Sequence, residues 1–522
     1  MAYKAGAWRD IRCKAIISIL FLSIIMLLIS GCMGETKQAS APSASQEPVQ
    51  EVLKPEDYET LWPGKKKLIW LSDSDLLYSS SKDILVEFNN TLLANGTDFV
   101  VEFVNANANS VQQYYDLIRR FKQEGKQVDL LNTGSGSSEV DIRTYPAAVR
   151  DGLLEPLDNY LQTKDGKLLY DHILPSSWEM VTLDHQIFGI HPMPTAAANL
   201  YLFINKRIQE KYKITLPKQI ASLAALEKAL SMAAEESKLD QKFVPLYIWL
   251  GSGKEMTGYD FLSSGIAVRH TESGAPLAFN PYAEQDVNQL IQAMSAYKEA
   301  GYTKEGQAFE EVLKGNFFAF VTYAYPSTYH NGKLQLGITD PILNVNAHLL
   351  QDGMNFEAVN GINGLASWSA NKAEAFQLLT LVNTNSELSN LLRHGFKKAS
   401  SGKLQFKDME EMMRGIASPS NNLITVPVGL ETDNKLNDYR EYAASFSMSP
   451  AAGFILDEGN IREDLLAIGE INRKYEALWI GSKDADTQLM KVNEELKAAH
   501  IDQVLVEINK QLDNWWKASR TK

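Results

Sequence analysis

Cysteine is almost missing from this chain, with Cys13 and Cys32 the only two in 522 residues. Zinc sites built on several thiolates are thereby excluded, as is a disulfide framework. The eight histidines lie at positions 172, 185, 191, 270, 330, 348, 394 and 500, and no His-Glu-x-x-His occurs. No Gly-x-Ser-x-Gly turn is present. Ser-x-x-Lys appears at Ser79/Lys82, Ser369/Lys372 and Ser400/Lys403 without an accompanying Lys-Thr-Gly. "GSGK" at Gly251 to Lys254 lacks the rest of a phosphate loop, and "SDSD" at Ser72 to Asp75 lacks the glycine and terminal Glu of a calcium loop. Carboxylate pairs for glycoside hydrolysis need only be close in space, so 64 acidic residues guarantee chance pairs and carry no signal. The expectation is a protein with no catalytic residues, no metal and no cofactor. Positive charge is also in deficit. The formal net charge is −13, and removal of the first 31 residues deepens it to about −16. Such a surface argues against nucleic acid and against adsorption to anionic lipid.

Long apolar runs are scarce too, with one near the N-terminus. Lys4, Arg9, Arg12 and Lys14 precede Ala15 to Ile29, whose only polar side chains are Ser18 and Ser23. A helix of that length rises about 22 Å, short of the roughly 30 Å of bilayer hydrocarbon, so it reads as an export signal rather than a permanent span. Ile29-Ser30-Gly31-Cys32 resembles the lipobox of bacterial lipoproteins. That resemblance implies removal of residues 1–31 and lipidation of Cys32 (diacylglycerol, palmitate). Met33 to Glu56, rich in Ser, Ala, Gln and Pro, would serve as a tether spanning roughly 27 Å root-mean-square.

Beyond it the hydrophobic pattern alternates. "KKLIWLS", "DFVVEFVN" and "VDLLNTGSG" read as strands, separated by helices over Asp83–Leu93 and "VQQYYDLIRRFKQEGK". This order implies right-handed crossovers and a parallel sheet, with ligands at the carboxyl ends of its strands. Ser72, Asp73, Asn105, Asn132, Thr133 and Ser135 stand there. "NLYLFINKRIQEKY" predicts a strand entering a helix, and "GNFFAFVTYAYP" an aromatic strand. "LQLGITDPI" predicts another strand ending at Pro341, and Asn371 with Glu374 a capping box. Two apolar stripes, Leu465–Leu478 and Ile501–Trp515, make the C-terminal part helical.

Aromatic residues are abundant: 9 Trp, 21 Tyr and 20 Phe. Most belong in cores. Carbohydrate rings, however, stack their C–H faces on aromatic faces while their hydroxyls seek Asn, Asp, Ser and Thr. Trp178, Trp249, Tyr259, Tyr323, Tyr325 and Trp368 lie beside turns or strand ends and are candidate contacts for a sugar, together with Ser72, Asp73, Asn132 and Thr133.

Four segments in order resemble carbohydrate-type solute-binding lipoproteins of bacterial ABC importers, the maltose-binding-protein-like class. They are "DLIRRFKQEGKQVDLLNTGSG", "DGLLEPLDNYL", "HQIFGIHPMPTAAANLYLFINKRIQEKYKI" and "GLASWSANKAEAFQLLTLVNTNSELSNLL". The tail from Ala451 resembles the helical C-terminal region of larger Gram-positive members. "HGFKKASSGKLQF" departs from the family's pattern, so contacts made there do not transfer. The resemblance implies a two-lobed α/β fold with hinge strands and a helical C-terminal region. Its expected bounds are signal 1–31, anchor and tether 32–64, first lobe 65–195 and 340–395, second lobe 196–339 and 396–440, and C-terminal region 441–522. Crossings are expected near Gly189–Ala197, Gly337–Ile342 and after Leu392. By position, Tyr323 and Tyr325 match the family's aromatic platform. The implied role is a monomeric, lipid-anchored extracellular receptor of a Gram-positive bacterium, delivering an oligosaccharide to ABC permease subunits without chemistry. The same fold also serves receptors for peptides or glycoconjugates and sensory partners of membrane kinases, and an exported glycoside hydrolase is the alternative from another class.

Overall fold

The computed structural model describes residues 53–520 except 74–81, 109, 135–143, 192–198, 219, 221–222, 251–252, 263–264, 305–307, 337–339, 352–353, 356–360, 396–418 and 445. Cys13, Cys32 and Ser135 therefore lie outside the described residues. The principal strands are β1 (Lys66–Ser72), β2 (Phe99–Asn105), β3 (Leu130–Asn132), β4 (Asn199–Asn205), β5 (Val244–Trp249), β6 (Phe317–Ala324), β7 (Leu343–Gln351) and β8 (Asn363–Leu365). Among the helices are α1 (Lys82–Ala94), α2 (Val111–Gln123), α3 (Lys372–Thr384), α4 (Ser386–His394) and α5 (Lys435–Ala443).

The first sheet has the order β8-β3-β1-β2. β1 pairs parallel with β2 from Lys66↔Phe99 to Ser72↔Asn105, and with β3 at Trp70↔Leu130. The near-continuous apolar run of β1 follows from helices covering both faces of a parallel sheet. Ser110 caps α2 by accepting a hydrogen bond from Gln113 N at 3.2 Å. Tyr114 and Ile118 on that helix are fully buried against the sheet. α4 opens on Asn385, whose Oδ1 accepts from Glu387 N and Leu388 N, and ends at Gly395 with φ of 72°. A left-handed residue there closes the last turn, which glycine does without steric cost.

The second sheet has six strands. The two short ones, Tyr329–His330 and Lys333–Leu334, lead into β7-β4-β6-β5. β6 runs parallel to β5 and antiparallel to β4, with Ala324 opposite Asn199. β7 pairs antiparallel with β4 from Val345↔Asn205 to Leu349↔Tyr201.

Several sequence expectations are corrected by this arrangement. The tether expected over 32–64 stops short of residue 64, since Pro55–Leu61 is a helix and Leu53, Tyr58 and Trp62 are buried in the first core. Residues 340–395 do not form one block of the first lobe, because β7 belongs to the second sheet. The chain returns to the first sheet between Gln351 and Gly361, rather than near Gly337–Ile342. The expected strand Leu334–Ile342 is likewise displaced, and the long strand starts after Pro341. Proline fixes φ and lacks an N–H, so it opens the strand instead of ending it. Asn344, Asn346 and His348 alternate with less polar residues, so β7 carries no apolar run in the sequence. The capping box is also absent: Asn371 makes no side-chain cap. Its Nδ2 donates to Asp129 Oδ1 at 3.0 Å, while Glu374 pairs with Lys66. Asp129 is fully buried and also accepts from Ser369 Oγ at 2.6 Å, Gln127 Nε2 at 2.7 Å and Ile69 N at 2.9 Å. A buried carboxylate needs such donors more than a helix end needs a cap.

Within the first lobe, where the chain leaves and re-enters it, two segments run side by side. Ile190 N donates to Asn363 O at 2.8 Å, and Asn363 N returns to Ile190 O at 3.0 Å. Gly364 permits this closeness: a Cβ there would lie 2.3 Å from Phe188 O. Met354–Asn355 pairs parallel with Ser447–Met448 in a second ribbon. The C-terminal helices Arg462–Lys474, Ala485–Ala498 and Ile501–Arg520 pack against Leu262, Val268, Ala278, Tyr282 and Ile291 of the second lobe. Residues ahead of those helices also touch the first lobe, since Leu456 O accepts from the Arg150 guanidinium at 3.3 Å.

Candidate functional site

Two polar strand edges stand out, one on each lobe. On the first lobe, Ser72 and Asp73 close β1 while Asn132 and Thr133 close β3. Asn132 Nδ2 donates to Asn363 Oδ1 at 2.9 Å and to Gly361 O at 3.2 Å, and its Oδ1 accepts from Gly134 N at 2.8 Å. Thr133 Oγ1 accepts from Ile362 N at 3.1 Å, and Thr133 N donates to Ile362 O at 2.8 Å. Trp70 Nε1 reaches the same Asn363 Oδ1 at 3.3 Å. Ser72, Asn132 and Thr133 are all buried. Asn132 and Thr133 spend their hydrogen bonds locking β8 and the crossing segment to the sheet. They shape the edge rather than present groups outward. Asp73 is the partly exposed member, set beside Gly134, where a Cβ would lie 3.1 Å from Asp73 Oδ2. The phenol of Tyr114, pushed well above its ordinary pKa by burial and then by Asp73, stays protonated and donates to Asn132 O at 2.7 Å.

On the second lobe, tyrosines gather at the open end of β4 and β6. Asn199 and Tyr201 come from β4, Tyr323 from the end of β6, and Tyr325 from the turn that follows. Tyr442 arrives from α5. Its hydroxyl accepts from Asn199 N at 2.8 Å and donates to Ala324 O, bridging the last residue pair of two strands. Burial, then Tyr325, keep this phenol protonated well above the usual range. Tyr325 is buried, its ring 6.2 Å from that of Tyr442. Tyr201 and Tyr323 are partly exposed. Asn199 Nδ2 donates to Tyr201 OH at 3.4 Å, and Tyr201 packs 5.3 Å from Tyr329.

The other sequence candidates lie elsewhere. Trp178 is buried in the first core, stacked on Tyr170 at 5.1 Å with 5° between planes. Trp249 ends β5 at the same sheet edge but turns inward, 4.5 Å from Phe309. Tyr259 packs 4.9 Å from Phe279 near the C-terminal helices and donates to Asp286 Oδ2 at 2.5 Å. Trp368 donates to Lys126 O at 2.8 Å, at the amino end of β3 and so opposite Asn132. Each sat beside a turn or strand end in sequence, yet strand ends have two sides and rings pack inward when apolar neighbours surround them. Asn199, Tyr201 and Tyr442 were missed. The first two open a strand whose apolar run drew attention to its core, and Tyr442 reaches the edge from a helix far along the chain. Among the described residues no group of three or more His, Cys, Asp or Glu side chains is placed to hold a metal ion.

Comparison with known proteins agrees with this architecture. Residues 450–517 match the model of a domain of unknown function, DUF3502. The chain is 22% identical over 445 residues to a carbohydrate ABC transporter substrate-binding protein of Streptococcus pneumoniae serotype 4, covering 82% of this chain and 88% of that protein. The crystal structure of the N-glycan transport solute binding protein (NgtS) from Streptococcus pneumoniae superposes with a TM-score of 0.65 at 19% identity, covering 87% of this chain and 99% of that one. Its complex with Man5GlcNAc gives 0.58 at 19% identity, over 87% and 98%. The chain has the two-lobed α/β fold of these solute-binding proteins, as the sequence resemblance implied.

Proposed function

We propose that this chain is a carbohydrate receptor of an ABC importer, held at the outer face of a cell membrane by lipid on Cys32. The observation that carries the sugar reading is the set of tyrosines at the Asn199/Ala324 end of the second sheet, Tyr323 and Tyr325 beside Tyr442 and, on the opposite face, Tyr201 beside Asn199, in a fold whose first lobe ends β1 at Asp73. An oligosaccharide has apolar ring faces and hydroxyl edges, and this pairing of tyrosines with amide and carboxylate groups supplies partners for both. Tyr323 stacks on a sugar ring at the strand end, while Tyr201 offers its ring from the other face of the same edge. Asp73 and Asn199 take hydroxyls.

Both edges border the same hinge, so a ligand between them makes its full set of contacts only when the lobes approach. Closure then follows from differential affinity alone. The closed form presents surfaces of both lobes to the permease, and reopening releases the sugar unaltered, with no enzyme chemistry. In the bilayer, one acyl chain anchors marginally at about 0.8 kcal/mol per buried methylene, whereas two or more hold firmly.

The resemblance to a glycan-transport receptor makes Man5GlcNAc a rational first probe, beside linear maltooligosaccharides. A thermal-shift screen tests the reading, because a ligand at a hundredfold excess over its Kd adds about 2.7 kcal/mol to stability. A saturable shift with one sugar class supports it. Turnover of chromogenic glycosides would instead support a hydrolase.

A further inference from the structure

Residues 420–443 hold both lobes at once. At the first lobe, Asn421 Nδ2 donates to Asn383 O at 3.2 Å and to His172 O at 2.9 Å. The Arg393 guanidinium donates to Ser420 O at 2.8 Å, and Val426 N donates to Asn390 Oδ1 at 3.1 Å. At the second lobe, Leu430 N donates to Ser327 O at 2.8 Å. Gly429, with φ of 55°, lies so close that a Cβ would sit 2.5 Å from that same carbonyl oxygen. The Tyr442 hydroxyl then bridges Asn199 N and Ala324 O. This places part of 396–440, expected to lie wholly in the second lobe, on the first-lobe helices.

The middle of the segment is internally tied. Glu431 is buried and accepts from Val428 N and Tyr439 OH, both at 3.0 Å, and pairs with buried Lys435 at 3.4 Å. Lys435 Nζ also donates to Thr425 Oγ1 at 3.1 Å. A buried charge pair with further hydrogen bonds on both partners tolerates little displacement, because any loosening leaves charge uncompensated. The segment therefore moves as a unit.

We propose that residues 420–443 are a brace that sets the angle between the lobes, with Tyr442 as the positioning residue that links it to the sugar edge. The proposal rests on the reading of that edge as the carbohydrate site. Tyr442 holds the end of β4 at Asn199 and the end of β6 at Ala324, one residue from Leu200, Tyr323 and Tyr325. A sugar seated on Tyr323 shifts these strand ends, and the Tyr442 phenol carries the shift through α5 and Glu431 to Asn421. Coupling is reciprocal, so loosening Tyr442 alters both the empty lobe angle and the affinity.

The test uses the full chain with Cys13→Ser and Cys32→Ser, spin-labelled at Asp98→Cys on the first lobe and Leu239→Cys on the second, both exposed. Tyr442→Phe keeps the ring and removes the bridge. The expected result is a shifted or broadened interlobe distance distribution without ligand, in protein that stays folded at the measuring temperature although its melting temperature falls for the lost hydrogen bonds. Affinity for Man5GlcNAc is expected to change about two- to tenfold, the worth of one hydrogen bond. If Tyr442→Phe does not fold, Asn421→Ala, which cuts the other end, decides the matter by the same distances. Distributions superimposable on those of the parent overturn the brace, even where Man5GlcNAc binds and the ligand reading stands. A shifted distribution with no Man5GlcNAc binding to parent or variant upholds the brace and counts against the ligand reading alone.

Discussion

The side-chain amide of Asn132 donates to Asn363 Oδ1 at 2.9 Å, joining the end of a parallel strand to the segment that has just crossed between the lobes. The same oxygen receives the Trp70 indole, so one asparagine serves two buried donors. Both contacts lie within the first lobe and hold β8 to β3 and β1.

Asn363→Ala is accordingly expected to destabilise the fold. Trp70 Nε1 and Asn132 Nδ2 lose their shared acceptor inside the protein, which costs about 1–3 kcal/mol. Urea unfolding should show a lower midpoint; an unchanged midpoint would mean these donors find other partners.

The α/β alternation was legible because β1, β2 and α2 carry strong periodic patterns and short connections. The site was less so. Asn132 and Thr133 were found as strand-end polar residues, but their role emerged only when β8, more than two hundred residues later, was seen to take their hydrogen bonds. Tyr323 could be singled out as a candidate from its strand, whereas Tyr442 lies on a helix whose sequence, "KLNDYREYA", looks like any polar surface helix. Tertiary convergence of that kind leaves no local trace.

Tyr323→Ala should weaken carbohydrate binding by roughly tenfold, about 1.4 kcal/mol for losing one stacking ring, with little change in melting temperature. Calorimetric titration checks it. Equal affinity in variant and parent would remove Tyr323 from the site.

Trp178→Ala should do the reverse. The ring lies inside the first core against Tyr170, so truncation costs about 3–5 kcal/mol of stability. Protein that remains folded at low temperature should bind sugar with near-parental affinity, measured by titration below the lowered unfolding midpoint.

Stability should fall with acidification through His394. Burial first, then Arg393 and Lys435, hold this imidazole down at about 3, from a usual 6.5. Between those values the unfolded chain takes up a proton that the folded chain refuses, so stability is lost as pH drops below about 6.5. Urea unfolding at pH 7.5 and 4.5 should show a larger loss in the parent than in His394→Gln; equal losses would refute the assignment.

Cys32→Ser should move the protein from the membrane fraction to the soluble one, because a single thiol is the attachment point for lipid in the proposed anchor. Fractionation with detergent controls reads this directly, and unaltered sedimentation with membranes would contradict lipid anchoring at Cys32.

The central claim is that a carbohydrate is bound between the two lobes and released unchanged. The most direct measurement is calorimetric titration with Man5GlcNAc and a maltooligosaccharide series, followed by mass spectrometry of the sugar recovered after denaturation. The account predicts saturable binding of one sugar class at one site per chain, with recovered mass equal to that added. Cleaved sugar, or no saturable binding across the whole series, would contradict it.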